Sequence, residues 1–234
     1  MSRFVQLLPA LVLVFVTACT PRFSKLFSSS CSAPCWYKVT PGQTTKNELL
    51  TLVPTFPYYQ EQGISWHDAT HRYSERVPES ATAQFSMSIE NDKAYIIVNI
   101  KDNLVTNIGF YSGLGFLQQH YVLGLNLSDI VEKYGEPSNM FIREDCGGDV
   151  SCRNLVIVYP DQGILAAVES GDSYENFRVL RTLPVVAMVY FQPPDYKGSL
   201  SSLPYSSSDN CDPYMLNWQG FTTINAEGKV NGCP

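Results

Sequence analysis

The stretch Gly124-Leu125-Asn126-Leu127-Ser128-Asp129-Ile130-Val131-Glu132-Lys133-Tyr134-Gly135-Glu136-Pro137 spells out a short helix with both of its ends marked. Asn126 is a good N-cap residue and Asp129 stands at the third helical position. Ile130, Val131 and Tyr134 supply an apolar face. Gly135 is placed to terminate the helix, and Pro137 follows where a helix cannot continue.

The same pattern occurs earlier in the chain. Thr40-Pro41-Gly42 turns the backbone, and Thr45-Lys46-Asn47-Glu48 is a capping box. Leu49, Leu50, Leu52 and Val53 give the apolar face, and Pro54 and Pro57 end the helix. Gly42, Thr45, Glu48-Leu49 and Val53-Pro54 thus parallel Gly124, Asn126, Asp129-Ile130 and Tyr134 to Pro137, with one extra residue in the first copy.

Strand patterns follow each helix. Gln84 to Ile89 alternates, Tyr95 to Ile100 is β-branched and aromatic, and Leu104 to Tyr111 is a third strand. Glu90 to Lys93 and Lys101 to Asn103 supply the turns, so the three strands read as an antiparallel meander. Asn154 to Tyr159 and Ile164 to Val168 flank the turn Pro160 to Gly163, and Val185 to Phe191 is a further strand. Residues 58 to 82 read as loop with a short strand near Ile64 to Trp66. The expected fold is α+β: two helix-plus-antiparallel-meander repeats, with the helices on one face of the sheet. Residues 35–122 form the first repeat and 123–191 the second, leaving an irregular tail over 192–234 pinned by a disulfide.

The N-terminus carries a different signal. Met1-Ser2-Arg3 precedes an apolar run from Phe4 to Ala18, too short to span a hydrocarbon core of roughly 20 apolar residues. It ends in Val16-Thr17-Ala18-Cys19, which resembles the lipobox of bacterial lipoproteins. That resemblance implies a signal peptide over 1–18 and a diacylglycerol on Cys19, with acylation (palmitate) of the new amino terminus. Residues 19–34 then hold the lipidated cysteine and a serine-rich tether. Several acyl chains anchor stably, at about 0.8 kcal/mol per buried CH₂, where one would be marginal. The expected location is extracytoplasmic, on the cell membrane or the outer membrane.

Six further cysteines remain: Cys31, Cys35, Cys146, Cys152, Cys211 and Cys233. An even number in an exported chain reads as disulfides. Nearest-neighbour pairing is the simplest of the fifteen possible connectivities. Cys31-x3-Cys35 and Cys146-x5-Cys152 lack zinc-finger spacing, and only 3 histidines occur. The net charge of −6 leaves no basic stripe for nucleic acid.

Gly124-Leu125-Asn126, Ile130 and Tyr134 to Pro137 together resemble the helix motif of the outer-membrane-assembly lipoproteins of the SmpA/OmlA (BamE) type. Thr44/Thr45 with Leu49 is similar to a looser copy. The wider group, including beta-lactamase-inhibitor-like proteins, pairs helices with antiparallel sheets, sometimes in tandem. Cys31 to Trp36, followed by Thr40 to Thr45, also resembles a set of uncharacterised bacterial lipoproteins. The chain departs from the assembly lipoproteins in its length, its cysteines, Asn126 for Thr and its long tail. The resemblance therefore implies the fold and the lipid anchor rather than the partner.

No catalytic constellation emerges. His67-Asp68-Ala69-Thr70-His71 would place two histidines on one helical face, but Asp68 is short for a general base and no third ligand is evident. Surface or packing histidines are the simpler account. Glu144-Asp145 and Asp149 around Gly147-Gly148 lack the ladder of a calcium loop and read as a hairpin tip. Gly113-Leu114-Gly115-Phe116 lacks the Lys of a phosphate loop. Ser173 and Ser199 have no nucleophile elbow. Glu132 with Glu136 lies on an exposed helix end.

Trp36, Trp66, Tyr58 and Tyr59 read mainly as core or sheet cover. Tyr205, Tyr214, Trp218 and Phe221, in the polar tail, are the candidate binding surface. The expected function is a lipid-anchored extracytoplasmic binding or scaffolding protein of the bacterial envelope. It needs no cofactor and no metal, and its partner is an envelope protein or other component. The alternatives are an inhibitor of an extracellular enzyme and a metal-dependent hydrolase built on His67 and His71.

Overall fold

The computed structural model describes residues 27, 31–56, 64–67, 83–89, 94–112, 123–144, 153–170, 176–200, 202–203, 215–225 and 230–231. Its helices are α1 (Lys46–Leu52), α2 (Leu127–Tyr134) and α3 (Lys197–Leu200). Its strands are β1 (Ile64–His67), β2 (Ala83–Ile89), β3 (Ala94–Lys101), β4 (Leu104–Ser112), β5 (Asn139–Glu144) and β6 (Arg153–Tyr159). They continue with β7 (Ile164–Ser170), β8 (Asn176–Arg178), β9 (Val185–Phe191), β10 (Leu216–Asn217), β11 (Thr223–Asn225) and β12 (Val230–Asn231). The protein is α+β, with a mostly antiparallel sheet and few helices.

Both long helices begin as their sequences dictate. The Thr45 N–H donates to Glu48 Oε2 at 2.8 Å, and the Glu48 N–H donates to Thr45 Oγ1 at 3.2 Å. In α2 the Asn126 N–H donates to Asp129 Oδ2 at 2.7 Å. Each arrangement satisfies a backbone donor that the first turn would leave unpaired. Gly135, at φ 83°, ends α2, and its N–H donates to the Val131 carbonyl at 2.9 Å. That backbone sign favours glycine.

The main sheet runs β1-β2-β3-β4-β9-β7-β6-β5-β10, with β12 also pairing β5. Read from the central pair β4·β9, the order is the same outward in both directions: last strand, third, second, first. The register obeys the same relation. Gly109 pairs Val189, flanked by Ile108↔Tyr190 and Phe110↔Met188. Both halves carry a bulge at matching places, between Asn99↔Asn107 and Ile100↔Val105 and between Ala167↔Ala187 and Val168↔Val185. Each helix N-cap bridges the start of its half's last strand, Thr45↔Leu104 and Asn126↔Pro184. The Lys46 N–H donates to Asn103 O at 2.9 Å, and the Leu127 N–H donates to Leu183 O at 2.8 Å.

Alternation along the strands divides the buried residues between two faces. One face carries Ile96, Val98, Phe110, Ile142, Ile157, Ala166 and Met188. Leu49 of α1, Leu127 and Ile130 of α2, Phe177 and Ile224 of the β8·β11 ribbon, and Val179 just after β8 pack on this side, as does Trp36. The other face carries Tyr111, Phe141, Val156, Val158, Leu165, Val189 and Phe191. Leu203 is buried against it, and Tyr196, Leu200 and Met215 are packed on it. The two longer helices, α1 and α2, therefore lie on one face, whereas the short helix α3 belongs to the segment after β9 that covers the other, so the expectation of all helices on one face holds only for α1 and α2.

The tail departs from the irregular expectation. β10 pairs β5 antiparallel, β12 pairs β5 in parallel, and β11 pairs β8. Strands of two or three residues are too short to show a period of two in sequence. Strand β5, which begins two residues after Pro137, also carries little strand signal in its sequence. Its apolar core is only Met140, Phe141 and Ile142, split between the two faces.

Candidate functional site

Two of the four tail aromatics fall among the described residues, and they form a patch with groups from α2 and the loop after β8. The β8·β11 pairing, together with the Val179 N–H to Thr222 O bond at 2.8 Å, fixes the backbone around Phe221. The Trp218 and Phe221 rings meet edge to face, with centroids 5.6 Å apart and planes at 86°. The Arg181 guanidinium lies 4.3 Å from the Phe221 ring centre. Such stacking of a cation on a ring contributes about 0.5–1 kcal/mol at an exposed site.

Arg181 is tied to α2 twice. Its carbonyl accepts from the Ser128 N–H at 3.0 Å. Its Nη1 stands 4.0 Å from Glu132 Oε1, with both side chains well exposed (64% and 72%). An ion pair this long and this wet holds its partners weakly. Trp218 and Phe221 are half-buried and rest on the helix-side core. Leu180, beside Arg181, is 49% exposed. The result is an aromatic, arginine and aliphatic surface on a backbone held by strand pairing. Large rigid rings with arginine are the side chains that dominate binding energy at interfaces.

Tyr205 and Tyr214, the other tail candidates, lie outside the described residues, as do Cys19, Cys146, Cys152, Cys211 and Cys233. Cys31 and Cys35 are joined by a disulfide, the nearest-neighbour pairing expected of them. Trp36 is core: 1% exposed, it packs on Phe56 at 4.7 Å and Phe110 at 5.5 Å between ring centres.

His67 belongs to strand β1, so the i, i+4 helical spacing that would align it with His71 does not apply at that residue. His71 lies outside the described residues, as do Asp145, Asp149, the Gly113 to Phe116 stretch and Ser173. Among the described residues no group of three or more His, Cys, Asp or Glu side chains is placed to hold a metal ion. Ser199 is 4% exposed, with its N–H donating to Tyr196 O at 3.0 Å. Among the described residues no helix is long and apolar enough to cross a membrane.

A buried tyrosine set lies beneath α2, and sequence patterning gave no sign of it. The Tyr134 and Tyr190 hydroxyls are 3.1 Å apart, and the Tyr159 hydroxyl donates to Gly135 O at 2.8 Å. Burial pushes the Tyr159 and Tyr190 phenols above their ordinary range, and the neighbouring Tyr134 adds to both. Gln162 Nε2 donates to Tyr134 O at 2.9 Å, so these groups lock the end of α2 onto β6, β9 and the turn after β6.

No protein-family model matches the chain, and no curated protein matches it. Among solved structures, a cysteine-rich secretory protein from Staphylococcus aureus is similar at 12% identity, over 76% of this chain and 56% of that one, with a TM-score of 0.28. The chain thus spans a little over half the length of that protein.

Proposed function

We propose that this chain is a lipid-anchored extracytoplasmic protein of the bacterial envelope, held by lipid on Cys19. In this reading it acts by binding another envelope component rather than by catalysis. The observation that carries the binding role is the Trp218, Phe221 and Arg181 cluster. It presents half-buried rings and a stacked guanidinium to solvent on a backbone fixed by β8·β11. Rings already held in place lose little side-chain freedom when a partner covers them. The Cys31–Cys35 disulfide, twelve residues past the lipobox cysteine by the sequence, supports export to an oxidising compartment.

The tandem architecture of the SmpA/OmlA (BamE)-like and beta-lactamase-inhibitor-like group belongs to the same proposal. What supports it is the matched register of the two halves about Gly109↔Val189, with bulges and N-cap bridges at equivalent positions.

A test of the binding role uses the chain from Thr20 onward, which lacks both the apolar run and the lipidated cysteine and leaves the surface. Its retention on envelope fragments is then compared with that of the same chain carrying Trp218→Ala or Phe221→Ala. Truncating a hot-spot ring costs about 2 kcal/mol or more, so affinity should fall roughly 30-fold. Equal retention of all three chains would reject the patch as the contact surface.

A further inference from the structure

The binding patch and the entry of the N-terminal segment lie on the same side of the sheet. Phe27 packs edge to face on Phe110, with centroids 5.1 Å apart, and its carbonyl accepts from Lys133 Nζ of α2 at 3.3 Å. Phe27, Trp218 and Phe221 all rest on the helix-side core, whereas Tyr196, Leu200 and Met215 rest on the opposite face.

Seven residues, and so eight residue steps, separate Cys19 from Phe27. Fully extended, they reach at most about 28 Å, at roughly 3.5 Å per residue. A domain of this size is about 40 Å across, from the usual scaling of compact chains. A reach of about 28 Å is shorter than the domain's width, so a membrane lying against the side that carries Phe27 is the arrangement that asks least of this segment.

That side also carries exposed apolar groups. Leu50 projects from α1 at 42% exposure, and Leu180 adjoins Arg181 at 49%. With Trp218 and Phe221 they are residue types suited to the boundary between headgroups and acyl chains. Arg181 adds a guanidinium that can hydrogen-bond a lipid phosphate in bidentate fashion while its stem lies on the ring.

We propose that the partner of the Trp218–Phe221–Arg181 patch is the phospholipid surface of the membrane that holds the anchor. The α1/α2 side then lies on the headgroup layer, and the sheet face covered by Tyr196, Leu200 and Leu203 faces water. This rests on the reading of Cys19 as a lipid anchor and of the patch as a contact surface. Because ring burial rather than net attraction drives the contact in a chain of charge −6, it persists in high salt.

The test uses the full lipidated protein, purified from membranes and reconstituted in vesicles of phosphatidylcholine and phosphatidylglycerol with brominated acyl chains, which quench nearby tryptophans. Mass spectrometry of the same sample reports acylation of Cys19. The expected result is quenching that loses most of its amplitude in Trp218→Phe. Leu180→Trp, which alters an exposed side chain, gains a quenched component, and Tyr196→Trp on the opposite face gains none.

Acylated Cys19 with no quenching from position 218 or 180 would overturn the orientation and leave the patch to a protein partner. Quenching gained at 196 instead would reverse it. An unacylated Cys19 would remove the anchor reading and this inference with it, a failure the mass measurement separates from the other two.

Discussion

Gly109 stands at the centre of the sheet, opposite Val189, and its hydrogen is required by Tyr111. The Tyr111 ring folds back along β4, so a Cβ at position 109 would fall within its phenol end. Tyr111 is buried and its hydroxyl donates to the Ser202 carbonyl, joining the tail to the sheet. The neighbouring Asn99 Nδ2 donates to Asn107 Oδ1 at 2.7 Å and reaches Ser202 Oγ at 3.4 Å. Gly109→Ala must therefore displace the ring. Overpacking of this kind costs about 1–3 kcal/mol. Leaving the Ser202 carbonyl and the phenol unpaired costs about 1–3 kcal/mol more. A combined loss of about 2–6 kcal/mol lowers Tm by roughly 4–24 °C in a domain of this size.

A double-mutant cycle locates the cause. Tyr111→Leu removes the ring and its hydroxyl, so adding Gly109→Ala in that background should cost less than about 1 kcal/mol, a coupling of at least about 1 kcal/mol. Urea unfolding of the four proteins measures it. A Gly109→Ala chain as stable as wild type, or costs that simply add, would refute the packing of Tyr111 over Gly109.

Other perturbations test separate parts of the fold. Replacing Cys31 and Cys35 by serine opens a loop of sequence separation 4 and should cost about 2 kcal/mol from chain entropy, read as a lower urea midpoint; an unchanged midpoint would contradict a stabilising bridge. Burial holds the Tyr111, Tyr159 and Tyr190 phenols above their ordinary value of 10.0. Their stabilising effect is thus complete below that value and is lost as pH rises through the folded values. Ultraviolet titration should show these three ionising only with unfolding, and reversible ionisation in the folded protein near pH 10 would contradict their burial. At the acid end, bonds from Thr45 hold the Glu48 carboxyl below its ordinary 4.5, so the capping box stabilises above that value and is lost as pH falls through the lowered one. Glu48→Gln should flatten the acid limb of the Tm–pH curve, and an unaltered limb would remove the capping box from that account.

The parts of the fold legible in sequence are those fixed by local chemistry. Thr45 with Glu48, Asn126 with Asp129, and Gly135 before Pro137 satisfy their backbone groups within a few residues, so spacing alone reveals them. The long strands β3, β4, β6, β7 and β9 were readable from β-branched and aromatic runs bounded by turns. Pairings between distant segments were not. The β4·β9 union depends on Gly109 and Val189, eighty residues apart by their numbers, and nothing near either announces the other. Each bulge places two neighbours, such as Val186 and Ala187, on one face, which breaks the alternation a strand reading relies on. Of the candidate surface, the ring types at 218 and 221 were visible, but Arg181 was not. Its role arises only because β8·β11 and the first turn of α2 bring it over Phe221.

The most direct test of a lipid-anchored binding protein is mass spectrometry of the N-terminal peptide from protein extracted from its native membrane. The expected result is a peptide that begins at Cys19 and carries diacylglycerol, with or without a further acyl chain on the amino group. A peptide that retains Ala18, or begins at an unmodified Cys19, would contradict the anchor, and a membrane-side role for the Trp218–Phe221–Arg181 patch would fall with it.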